Sequence, residues 1–205
     1  MEISTADAVI AAAGVVAVAG AWYVVRERSF SVWRTMGLTM AVLGALSLGS
    51  GRVRSASRVE IAPAIALGLG AGAALYALTL AFFGVARRWV ALRRQSNDLY
   101  ERREGTSQLE AFGVGALLVS SGEELFWRGL VQDLAVAATG SVQGAGLTWG
   151  LYVAANVASG SLPIVLGAAV GGAAWGLLAW WSGGVAASVA CHVSWTALMI
   201  ARPPI

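Results

Sequence analysis

The chain has 205 residues, 58% of them hydrophobic and 12% charged, and a mean hydropathy of +0.71. A soluble domain carries about 25% charged residues, so this composition excludes a water-soluble globular fold and belongs in a bilayer. The net charge is +3, and the basic residues are scattered through short loops rather than gathered on one face, which excludes a nucleic-acid partner.

A bilayer span needs about 20 mostly apolar residues, because in lipid only a helix satisfies its own backbone. Seven runs qualify in chain order: 6–25, 32–49, 61–85, 111–138, 142–158, 163–181 and 185–200. The first is longer than the apolar stretch of a signal peptide and no basic segment precedes it, so it reads as a retained helix. The second and fifth are short. The fourth is long enough to be tilted or broken. The expected fold is therefore all-α, a polytopic transmembrane helix bundle of about seven spans (six to eight).

All 14 basic residues are arginine. The first loop carries Arg26, Arg28 and Arg34, and the third carries Arg87, Arg88, Arg93, Arg94, Arg102 and Arg103. The second carries only Arg52, Arg54 and Arg58. Basic loops stay on the cytoplasmic side, which predicts the N-terminus outside and the C-terminus inside. The absence of lysine reads as a GC-rich coding bias, so a bacterial plasma membrane is the expected location. The polar stretch 87–110 alternates acids and bases and is expected to be a solvated helix continuing the third span. It divides an N-terminal membrane region (1–107) from a second membrane domain (108–200). Pairs of small residues such as Gly68 and Gly72, or Gly167 and Gly171, suit close helix packing. The single cysteine, Cys191, lies in an apolar run and builds no disulfide framework.

The chemistry lies in Ser120-Ser121-Gly122-Glu123-Glu124-Leu125-Phe126-Trp127-Arg128, which is flanked by apolar residues on both sides. Each ionised group at the centre of a membrane helix costs roughly 2.5–3.5 kcal/mol on insertion scales, and such groups mark function by default. Glu124 and Arg128 are four residues apart, so they share a helix face and can pair. Glu123 is rotated by about 100° and points elsewhere. With Glu124 held ionised by Arg128, Glu123 is the tunable carboxylate, available as a general base for water. The only histidine, His192, sits in the last span. By itself it reads as a hydrogen-bonded structural residue, but together with the carboxylate pair it predicts a polar pocket between spans.

Glu123-Glu124-x-x-x-Arg128 resembles the EExxxR signature of the CPBP family, the intramembrane endopeptidases that include the CAAX prenyl proteases and Abi-type proteins. Gly129 fits the usual continuation. Two later motifs are similar to Tyr152-Val-Ala-Ala-Asn156 and His192-Val-Ser-Trp-Thr196, and the resemblance covers roughly 108–200. It implies an intramembrane endopeptidase in which Glu123 activates water for attack on a peptide carbonyl. Glu124 and Arg128 then hold the helix geometry, and His192 with Thr196 stabilises the oxyanion. The implied partners are a membrane-associated peptide or protein substrate and the lipid bilayer. No cofactor is required; a divalent metal, were one used, would be held by Glu123 and His192. The chain departs from the family pattern at Asn156, where a histidine is expected, and at Thr196, where asparagine is commoner. Asparagine hydrogen-bonds but takes up no proton at neutral pH. The alternative is accordingly a catalytically impaired member serving as a binding, immunity or scaffold protein.

Other chemistries fit less well. A zinc HExxH site cannot be assembled from one histidine. Ser159 and Ser161 precede His192 in the order a serine protease would need, but a Ser–Gly pair is ordinary turn chemistry. Cys191 points to a different helix face from His192. Trp127 and Trp195 adjoin motif residues and are candidates for the wall of a substrate groove.

Overall fold

The computed structural model describes residues 3–28, 30–101 and 106–204, without the side chains of Arg87 and Glu101. Arg102 and Arg103, two of the third-loop arginines used for orientation, lie outside the described residues. Among those residues the fold is helical throughout, with no strand. The helices are α1 (Thr5–Arg28), α2 (Val32–Gly49), α3 (Ile61–Val85), α4 (Val90–Glu101), α5 (108–139), α6 (Ser141–Val157), α7 (Leu162–Ser182) and α8 (Ala186–Ala201). Each of the seven apolar runs falls on one of these helices. Four of them, α1, α2, α3 and α7, are long and apolar enough to cross a membrane outright.

Local chemistry sets the boundaries. Ser31 and Ser107 cap α2 and α5, their hydroxyls accepting the Arg34 and Glu110 backbone N–H groups. Pro163 occupies the first turn of α7, and Gly183 ends that helix at φ 69°, a left-handed conformation that glycine adopts without a Cβ clash. Gly140, at φ 95°, separates α5 from α6.

The long fourth run is not broken. It is one continuous helix in which two π-helical stretches, Phe112–Val119 and Leu125–Val131, flank the α-helical turn Ser120–Glu124. Wide turns of this kind re-aim side chains and are frequent at functional sites. The polar stretch differs from expectation more clearly. Helix α3 stops at Val85, a tight turn covers Ala86–Arg88, and α4 starts afresh as a separate amphipathic helix. Leu92 and Ser96 on α4 are each 1% exposed, so α4 packs onto the bundle rather than extending α3 into water. Leu92, Ser96 and Leu99, spaced four and three residues apart, form an inward stripe that an averaged charge count conceals.

Regions 1–107 and 108–200 share one core. Val18, Trp22, Met36, Met40 and Leu75 from the first pack with Phe126, Trp127 and Trp175 from the second. Glycines allow the closest crossings. A Cβ on Gly68 would strike the Ala187 carbonyl, and one on Gly72 would meet Ser194 Oγ and, at 2.5 Å, the Cys191 carbonyl. At Gly122, just before the glutamates, a Cβ would lie 2.5 Å from the Met40 carbonyl. So α2 seats directly behind the turn that carries Glu123 and Glu124.

At the end of the bundle formed by the 50–60 loop, Val185 and Ala186 N–H groups donate to the Arg54 and Ser55 carbonyls, each at 2.8 Å. Buried Arg52 reaches Asp7 on α1 at 2.8 Å and Asp133 on α5 at 2.9 Å. At the opposite end, α4 is tied to α7 by Gln95, whose side-chain oxygen accepts the Leu162 N–H at 2.7 Å.

Candidate active site

Glu124 is fully buried, and one of its oxygens, Oε1, gathers two partners. Arg128 Nη1 donates to it at 3.1 Å from the same helix, and His192 Nδ1 lies 2.9 Å away on α8. The second arm of Arg128 donates to the Gly172 carbonyl of α7 at 2.9 Å. Through Glu124 and Arg128, three helices (α5, α7 and α8) are locked together by charge-assisted hydrogen bonds. The arginine also lies over the Tyr152 ring, its guanidinium carbon 4.7 Å from the centroid. Gly172 admits this packing, because a Cβ there would press on the Tyr152 ring at 2.7 Å.

A carboxylate paired with arginine only accepts hydrogen bonds, so the proton between Glu124 and His192 sits on Nδ1. The imidazole plane is fixed by Trp175, stacked on it at 3.6 Å between centroids and 13° between planes. Orientation is thus set on two sides, and Nε2 is the ring atom left for other partners.

Glu123 points away from this cluster, as the 100° rotation requires. Its Oε2 accepts the Tyr152 hydroxyl of α6 at 2.7 Å. Glu123, Tyr152, Asn156 and His192 line one cavity of about 470 Å³. The rest of its wall is overwhelmingly apolar and comes from α3 (Leu78, Phe82), α4 (Leu92, Leu99) and α7 and α8 (Ile164, Trp195). Four polar side chains thus converge at one place in a greasy chamber, the usual anatomy of a small-substrate or peptide site.

Five of the six residues singled out from the motifs therefore lie at the chamber or directly behind it: Glu123, Glu124, Arg128, Asn156 and His192. Asn156 also lines the chamber, but its amide N–H donates to the Tyr152 carbonyl on its own helix at 2.9 Å. Thr196 does not line the chamber; its hydroxyl lies 3.1 Å from Ser120 Oγ, which joins α8 to α5. Trp195 lines the chamber, whereas Trp127 is wholly buried against Phe126 and Tyr152. Ser159 and Ser161 line a different recess, beside Arg26 and Gln95, from which His192 is absent. Among the described residues no three His, Cys, Asp or Glu side chains converge as a metal site would require. Glu123 and His192 alone give a thin donor set, with Nδ1 already committed to Glu124.

Sequence reasoning assigned no role to Tyr152, Trp175 or Gly172. Tyr152 carried a usable signal, since it opens the motif that ends at Asn156, one helical turn away. Trp175 and Gly172 carried none, because their importance depends on α7 facing α8 and α5.

Residues 106–198 match the family described as type II CAAX prenyl endopeptidase Rce1-like. The match covers less than half of the chain and marks a similarity of that segment to the family. The match agrees with the CPBP resemblance, and the matched residues span the glutamate turn, the Tyr152–Asn156 turn and His192. Together with the long apolar helices, that similarity points to an integral membrane protein. No curated protein and no solved structure is significantly similar to the chain.

Proposed function

We propose that the chain is an intramembrane endopeptidase hydrolysing peptide bonds of membrane-associated substrates with a water activated by Glu123. One observation carries this reading: the Glu123 carboxylate and the His192 ring face the same apolar chamber, with Glu124 and Arg128 immobilising the histidine from behind. Glu123 takes a proton from water as the oxygen bonds to the peptide carbonyl carbon, and the carbonyl electron pair moves onto its oxygen. Collapse of that tetrahedral species breaks the C–N bond, and Glu123 returns the proton to the leaving amine. With Nδ1–H on Glu124, His192 Nε2 is the donor placed to meet the oxyanion when the ring is an imidazolium. Apolar walls admit a membrane-borne chain and keep bulk water low, which strengthens each of these interactions. By the arginine asymmetry the α4 end faces the cytoplasm of a bacterial cell, so substrate reaches the chamber from that side of the plasma membrane.

The experiment is cleavage of bilayer-embedded peptide reporters by protein purified into nanodiscs. Glu123→Gln is expected to lower turnover about 10²- to 10⁴-fold, the span of a lost general base, and His192→Ala to do so as well. Wild-type turnover in Glu123→Gln overturns the mechanism.

A second reading is favoured by Asn156, whose amide N–H is spent on the Tyr152 carbonyl in the place where the family pattern expects histidine. It describes a catalytically impaired relative that binds a membrane peptide or partner without cutting it. The two readings separate on Asn156→His. Cleavage that appears only in that variant supports the impaired relative.

A further inference from the structure

One end of the chamber is framed by three helix ends: Phe82 and Phe83 in the last turn of α3, Pro163 in the first turn of α7, and Met199 near the end of α8. Helix α4 lies across that end. Leu92, Ser96, Leu99 and Tyr100 line the chamber from α4, and Leu92 and Ser96 are almost fully buried there. The matched family segment begins at residue 106, so α4 lies outside it.

Three features make α4 a cover that is latched rather than built in. It borders open space on two sides, because Leu99 lines both the chamber and a recess of about 180 Å³ shared with Gln95, Asp98, Ser159 and Ser161. A helix of 12 residues has little stability of its own, so its place depends on packing that these cavities interrupt. Next, the Ser96 hydroxyl is buried with no hydrogen-bond partner among the described residues. It stays unsatisfied while α4 is down, and water satisfies it once α4 lifts. Last, the Gln95 side-chain oxygen accepts the Leu162 N–H at 2.7 Å. Leu162 is the first residue of α7, and Ser161 before it makes no side-chain cap bond. The N–H that opens α7 is thus satisfied from α4. Between α3 and α4 the chain is only the tight turn Ala86–Arg88 and Trp89, and short element ends of this kind absorb the dihedral changes of hinged closures.

An endopeptidase substrate continues on both sides of the bond to be cut, so a chain lying across Glu123 and His192 needs two openings. One is on the flank between α3 and α7, where Leu78, Phe82 and Val170 are exposed and still line the chamber. The other lies under α4. We propose that α4 is a lid, held shut by the Gln95–Leu162 hydrogen bond, which lifts to let a peptide chain lie across Glu123. Lids of this kind close a site from water and commit its substrate. The lid rests on the reading that the chamber takes a peptide, but its movement is measurable without one.

The test uses the full chain in nanodiscs with Cys191→Ser, which removes the only native thiol. In one arm, Ser96→Cys places a thiol on the chamber face of α4 and Asn97→Cys places one on its exposed outer face. Each is timed with a water-soluble maleimide. Gln95→Leu should speed the reaction of Ser96→Cys about 2- to 12-fold, the gain in open lid when a neutral hydrogen bond is lost, and leave Asn97→Cys unchanged. Gln95→Glu keeps an acceptor oxygen and should leave Ser96→Cys slow. In the other arm, Gln95→Cys/Ser161→Cys is bridged across the recess with a reducible bifunctional thiol reagent. Capture of a bilayer-embedded photoreactive reporter peptide should be lost on bridging and return on reduction; this arm stands even where Gln95→Leu misfolds. A Ser96→Cys rate that Gln95→Leu leaves unchanged, or capture that persists with α4 bridged, overturns the lid. Should the unbridged protein neither capture nor cut any reporter, the peptide reading fails, and the maleimide rates still decide whether α4 opens.

Discussion

The sharpest physical claim concerns the charge on Glu124, and Glu124→Gln isolates it. Glutamine keeps the shape and an acceptor oxygen for both Arg128 and His192, so only the negative charge is lost. Removing one member of a buried ion pair costs about 3–5 kcal/mol, because the other charge is left uncompensated. Arg128 is 5% exposed and retains the Gly172 carbonyl as a neutral acceptor. The expected loss is therefore at the lower bound, about 3 kcal/mol. For a chain of this size that is a fall in Tm of about 6–12 °C, measured by thermal unfolding in one detergent. Arg128→Met leaves Glu124 with His192 alone and should cost a similar amount. The double variant Glu124→Gln/Arg128→Met should lose less than the sum of the two, with a coupling of about 2–3 kcal/mol. A Glu124→Gln protein that melts within about 2 °C of wild type refutes the idea that this carboxylate compensates Arg128.

Three further outcomes follow from the geometry. Tyr152→Phe keeps the ring beneath Arg128 and beside Trp127 and deletes only the 2.7 Å hydrogen bond to Glu123. A hydrogen bond to a charged group contributes about 1.5–3 kcal/mol to stability, so Tm should fall by about 3–12 °C in the same unfolding measurement. Gly72→Ala pushes a methyl group against Ser194 and the Cys191 carbonyl at the α3–α8 crossing, and should destabilise by about 1–3 kcal/mol in a detergent unfolding titration. Because a glutamate-activated water needs no Lewis acid, cleavage by metal-free preparations should match cleavage after added zinc, read as turnover of the same reporter peptide.

How much was legible beforehand depends on the kind of interaction. The Glu123–Glu124–Arg128 turn could be read at once, because charges inside an apolar run are costly and a four-residue spacing defines a helix face. The rotation of Glu123 away from its neighbour was equally available, since it follows from helical geometry alone. The separate packing of α4 was not. An amphipathic stripe of Leu92, Ser96 and Leu99 shows its purpose only when a chamber exists for it to cover. Asn156 illustrates a further limit: its position in a motif was readable, but its commitment to the Tyr152 carbonyl is a rotamer choice made in the folded environment.

Hydropathy and charge spacing by themselves determined that this is a helical membrane protein with a carboxylate pair and a histidine buried in its second half, because lipid permits only helices and penalises stray charge. The tertiary structure alone decided that His192 leans on Glu124 rather than Glu123, that Tyr152 holds Glu123, and that Thr196 turns to Ser120 away from the chamber. Those choices depend on which helix faces which, at what depth and at what rotation. Interhelical contacts between small residues such as Gly68, Gly72, Gly122 and Gly172 set these relations, and no periodicity within one helix encodes them.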